Sequence, residues 1–183
     1  MPTNQENGTN TAGPADSLPE RAVDDDRGGN GRLTGPKAFE TYADDAYGFR
    51  LAYPADWLVE TEPAGGASFT DPRSSAGATV SIDEDLDLTL ADYVAAFLKS
   101  LAVDEHVRVL EALDRRDVAL EGGGTGRAIE YSYLSDGERW RLTYLFVRAG
   151  ERGYVLGVDW NDDNDLDDLA AWIVESFAVE TTD

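Results

Sequence analysis

Apolar and polar residues alternate through "YGFRLAYP". This places Phe49, Leu51 and Tyr53 on one side of a strand that Pro54 ends. "DWLVETE" begins a second strand, and "GGASFTDP" reads as a short one between turn signals. In "GATVSIDE", Ala78, Val80 and Ile82 share a side. The period then changes. Leu90, Val94, Phe97, Leu98 and Leu101 in "DLTLADYVAAFLKSLA" follow the three-and-four spacing of an amphipathic helix. Thr89 is its N-cap with Asp92 three residues on, and Leu88 and Tyr93 occupy the positions of a hydrophobic staple.

Four further strands are predicted in "VRVLEALDRRDVAL", "GRAIEYSYLS", "ERWRLTYLFVRA" and "RGYVLGVDW". Turns at 122–126, at Asp136-Gly137 and at 150–153 join them. These links are too short for crossover helices, so the last three strands form an antiparallel meander. "DLDDLAAWIVESF" closes the pattern as a helix with Leu166, Leu169, Ile173 and Phe177 on one face and Asp165 as its cap. Each amphipathic helix needs apolar sheet to cover. The pattern therefore predicts an α+β domain whose central, mainly antiparallel sheet carries a helix against each face.

Residues 1–36 break with this patterning. They are rich in Asn, Thr, Gly, Pro and Asp and nearly lack large apolar side chains, so burial cannot offset the entropy of ordering. We read 1–36 as a disordered polar tail and 37–183 as the folded domain. Asn7-Gly8-Thr9 in the tail is a glycosylation triplet. No stretch approaches the roughly 20 apolar residues of a membrane span, and the N-terminus lacks a basic-then-apolar signal.

Charge changes the picture most. The chain has 37 acidic and 15 basic residues, a formal net charge of -22. Such a surface cannot release counterions from phosphate, which excludes nucleic acid, and it is equally unsuited to an anionic membrane. Of the basic residues only Lys37 and Lys99 are lysines. Abundant Asp, scarce Lys and no clustering of the acids point to the proteome of a salt-in halophile, where a Debye length of about 3 Å screens the self-repulsion. There are no cysteines, hence no disulfides, thiolate nucleophiles or cysteine-based zinc sites.

Tyr47, Gly48, Phe49, Tyr53, Pro54 and Trp57 together resemble the N-terminal signature of the PsbP-like family. "FTDP" at 69–72, the middle helix, the aromatic meander and "ESF" at 175–177 follow in the family's order. The resemblance spans roughly Phe39 to Val179. It implies a three-layer α/β/α sandwich, shared with the Mog-type proteins, and a binding or assembly role without catalytic residues. On physical grounds Phe49, Tyr53 and Trp57 are core, and their strand is expected to build an edge of the sheet. The tail resembles the spacer of haloarchaeal surface lipoproteins. That implies an extracytoplasmic, tethered protein whose anchor lies outside this sequence; a cytoplasmic protein is the alternative.

Little else carries chemistry. His106 is the single histidine, with no Gly-x-Ser-x-Gly elbow to accompany it, and is expected on a surface loop. "EGGGTGRA" lacks the Lys of a phosphate loop and reads as a hairpin turn. Asp159, Asn161, Asp163 and Asp165 alternate as calcium ligands do, but Asn164 and Ala170 stand where an EF-hand has Gly and Glu. Asp83, Asp85 and Asp87 fail likewise at Leu88 and Val94. We assign no catalytic, cofactor or metal residues. The partner is an unidentified protein or a small ligand. The leading function is a non-catalytic binding or assembly module; the alternatives are a small-ligand carrier or enzyme using a cleft at one end of the sheet, and a cytoplasmic adaptor.

Overall fold

The computed structural model describes residues 38–180 except 64, 102–107, 121–123 and 136. The polar tail, the Asn7 triplet, His106 and the first two residues of the Gly-rich turn lie outside the described residues. The described strands are β1 (Phe39–Asp44), β2 (Phe49–Pro54), β3 (Leu58–Thr61), β4 (Gly66–Thr70), β5 (Gly77–Asp83), β6 (Arg108–Ala119), β7 (Thr125–Ser135), β8 (Glu138–Ala149), β9 (Arg152–Asn161) and β10 (Ala178–Val179). Helix α1 (Leu90–Leu101) follows β5, and α2 (Asp167–Ser176) follows β9 after a 3-10 turn at Asp162–Asn164.

The expected α/β/α sandwich, with one central sheet between helical layers, is not what forms. The described chain is mostly strand, in two antiparallel sheets. One holds three strands in the order β1-β2-β10; the other holds seven in the order β3-β4-β5-β9-β8-β7-β6. The opening motif is therefore no edge of the main sheet, because β2 is the middle strand of the small one. The cause is Pro54. It ends β2, the chain turns through Trp57, whose N–H donates to the Pro54 carbonyl at 3.0 Å, and β3 starts in the other sheet.

Alternation then dictates the packing. Phe49, Leu51 and Tyr53 on β2 are buried and press on the large sheet, where Tyr53 lies 4.9 Å from Phe69 and Phe49 6.4 Å from Tyr154 between ring centroids. The same face receives α2 through Ala170, Ile173 and Val174, beside Leu145 and Val147 of β8. The intervening β8 residue, Phe146, points the other way and joins Ile129, Val155, Tyr93 and Val94 under α1.

Helix α1 starts as the pattern predicts. The Thr89 hydroxyl accepts from the Asp92 N–H at 3.2 Å and donates to the Asp92 carboxylate at 2.7 Å. Tyr93 donates to Asp83 on β5, tying helix to sheet. Gly153 makes their approach possible, since a Cβ there would stand 2.8 Å from both Leu86 and the Tyr93 ring. Helix α2 starts differently. Asp165 is not its cap; it ends the 3-10 turn in the left-handed region at φ 50°, and the N-cap is Leu166, without a side-chain bond. Asp167 in the first turn instead accepts from Trp160 Nε1 at 3.0 Å and faces Arg141 at 3.6 Å.

Candidate functional site

A cleft of about 550 Å³ opens at one end of the fold, where the β1–β2 turn, the β8–β9 turn and Glu180 converge. The Asp44 carboxylate sets the first turn by accepting the N–H groups of Ala46 and Tyr47 at 3.0 and 3.1 Å. Gly48 turns there at φ +66°, and its carbonyl accepts from Glu180 N–H at 2.8 Å. Buried Tyr154 donates to the Tyr47 carbonyl at 2.7 Å, so one wall is fixed to the core.

The cleft's one guanidinium, Arg152, is already engaged. It lies 5.5 Å over the Tyr47 ring, donates to the Ala46 carbonyl at 3.3 Å and faces Glu84 at 3.9 Å. The Tyr47 ring in turn lies where a Cβ on Gly65 would stand, 2.4 Å away. Asp45, Glu151 and Glu180 complete the lining, so carboxylates outnumber cations three to one. The lining residues include no thiol or imidazole, and the Tyr154 hydroxyl is bonded to the Tyr47 carbonyl. This arrangement can hold a cationic or strongly hydrogen-bonding group.

The acids singled out from the sequence scatter. Asp159 and Asn161 lie on β9, Asp163 in the 3-10 turn and Asp165 at its end. Asn161 accepts from the Asp163 N–H at 3.0 Å and donates to Glu138 at 2.9 Å, a turn arrangement. Asp83 receives the Tyr93 hydroxyl, and Asp85 sits at φ 58° in the link to α1. Among the described residues no three acidic or imidazole side chains gather as metal ligands do.

Two acids gain significance that spacing did not reveal. The register places Asp159 between Gly77 of β5 and Leu142 of β8, on the face where Tyr133 stacks on Trp140 at 6.4 Å. Burial pushes the Asp159 carboxyl up to about 6, and burial together with Asp159 and Tyr144 pushes the Tyr133 phenol up to about 12. Asp71 in "FTDP" is 4% exposed. Burial pulls its carboxyl up, but donors from Ser74 at 2.7 Å and from the Arg73 amide and guanidinium at 3.0 and 3.1 Å outweigh this and hold it below the usual range.

Among solved structures the chain is similar to cyanobacterial PsbP (CyanoP) from Synechocystis, with a TM-score of 0.59 and 18% identity over 82% of this chain and 98% of that one. This is the PsbP-like fold. It is shared at a TM-score of 0.51 and 20% identity with LpqN, a protein described as involved in cell envelope biogenesis of Mycobacterium tuberculosis, over 78% of this chain and 90% of LpqN. A Bacteroides thetaiotaomicron protein is similar at a TM-score of 0.51 and 11% identity, over 76% of this chain and 48% of its own. No protein-family model matches the sequence, and no curated protein matches it. Within the PsbP-like fold the family-signature aromatics Phe49, Tyr53 and Trp57 are core, at 2%, 8% and 6% exposure, and do not line the cleft. Tyr47 of the same signature does.

Proposed function

We propose that this protein is a non-catalytic binding or assembly module that receives a cationic segment of a protein partner in the acidic end cleft. The lining carries this reading: Asp45, Glu151 and Glu180 surround a cleft whose own arginine is consumed by Tyr47, Ala46 and Glu84. A lysine or arginine entering there meets three carboxylates that form no ion pair among the described residues. The PsbP-like fold supports a binding role, though fold alone never fixes function. We further read the module as extracytoplasmic, tethered through its N-terminal tail and adapted to high salt. The envelope role described for LpqN and the 37 acids against 15 basic residues support this. Among the described residues no helix is long and apolar enough to cross a membrane.

The test is paired affinity capture from native high-salt membranes, with the full chain and its Asp45→Arg/Glu151→Arg variant as baits. A protein crosslinked to the first and lost from the second is the expected result. Identical captures by both baits would remove the cleft from the function. A small-ligand carrier is the second reading, favoured by a volume within the roughly 300–1,000 Å³ range of ligand sites. Its lining is more polar than such sites usually are, and a metabolite co-purifying with the folded protein would favour it.

A further inference from the structure

The large sheet ends in two strands, β6 and β3, that are guarded very differently. Strand β6 carries two register shifts and the exposed charges Glu111, Asp114, Arg115, Arg116 and Asp117, the devices by which proteins stop edges from pairing. Strand β3 has neither bulge, proline nor lysine. Its Leu58 is 60% exposed and its Val59 37%, adjacent on a regular edge.

Hydrogen bonding on β3 can be assigned residue by residue. Glu62 donates to the Gly66 carbonyl at 3.1 Å, so in this register Glu60 with Ser68 and Leu58 with Thr70 are the bonded pairs. Val59 and Thr61 therefore turn their N–H and C=O groups outward, about 6.8 Å apart along the strand. Among the described residues nothing bonds to them. Strand β1 also ends its sheet, and its Phe39 is as exposed as Val59, but the Phe39 ring already packs on Trp172 at 3.9 Å and its neighbour Glu40 is charged.

We propose that β3 is a docking edge that takes an extended segment of a protein partner, alternating apolar and basic residues, as an eighth strand of the large sheet. Charge selects the occupant. A basic residue opposite Glu60 would be paired, on a chain of net charge -22. A second copy centred on Glu60 or Thr61 would set glutamate against glutamate. No residue of β3 lines the end cleft, so the cleft variants leave the strand's own residues unchanged.

The probe is a capped hexapeptide of alternating valine and lysine, titrated into the full chain with amide hydrogen exchange as readout. Exchange at Val59 and Thr61 is expected to slow about tenfold or more on binding. N-methylation of the peptide at the residues facing Val59 and Thr61 should abolish this, as should Val59→Pro, which removes an outward N–H and no ladder bond. A valine–glutamate peptide should not bind. Equal binding of the N-methylated peptide to the unaltered chain would overturn the proposal, leaving charge attraction alone. It needs no variant to fold. A dimer in sedimentation that Val59→Pro dissolves would overturn it too, by giving the edge to a second copy.

Discussion

Replacing Asp159 by asparagine tests how the sheet treats a carboxylate it has desolvated. The carboxyl titrates at about 6 instead of 3.8 because burial beside Leu142 and Gly77 penalises its charged form. A raised folded value means the native state binds the proton more tightly than the unfolded chain. Stability therefore falls as pH rises from about 4 through 6, the reverse of a salt-bridged aspartate. At 1.36 kcal/mol per tenfold change in acidity, the cost at pH 8 is at most about 3 kcal/mol. Asparagine, nearly the same shape and never charged, escapes it. Asp159→Asn should then melt about 6–12 °C above the parent at pH 8. The two should coincide near pH 4. The assay is thermal denaturation across pH 4–8 in 1 M KCl, which suppresses the long-range field of the other acids. A difference between the two chains that does not change with pH would refute the reasoning, since it would show the carboxylate to be solvated in the native state.

Asp71 should behave oppositely. Its lowered value adds stability above about pH 4 that is lost as pH falls through the folded value, so Asp71→Asn should flatten acid unfolding. At neutral pH, Asp71→Ala should cost about 1–3 kcal/mol in urea denaturation, by stranding donors from Arg73 and Ser74. The net charge of -22 makes stability rise with salt, and an unchanged melting temperature between low and molar KCl would count against the halophile reading.

Local pattern made most elements legible, because turns at Asp136-Gly137 and 150–153 punctuate strands whose apolar residues alternate cleanly. Helix α1 could be read down to its Thr89–Asp92 cap, since capping is a contact between near neighbours in sequence. Sheet membership could not be read. Whether β2 pairs with β3 or with β10, some 128 residues downstream, depends on contacts no local window contains. Strand β1 escaped notice because its residues are largely exposed and barely alternate. Asp165 misled for a different reason: an acid before an apolar run reads as a cap, but here it adopts the left-handed turn that precedes the helix. The lining of the cleft could not be read because Asp45, Glu151 and Glu180 come from two turns and the end of β10, far apart in sequence. Asp159 attracted attention as a calcium ligand, when its register beside Leu142 makes it a half-buried, desolvated acid.

The small sheet also has a mechanical consequence. Strand β1 enters opposite Pro54, and β10 leaves opposite Phe49, so the two ends of the described fold depart from opposite ends of β2. A pull between them runs along the strands. It loads the rungs of both ladders together in shear, where a peeling geometry would break them one at a time. Force entering at Phe39 must slide β1 along β2 before it can reach the seven-stranded sheet.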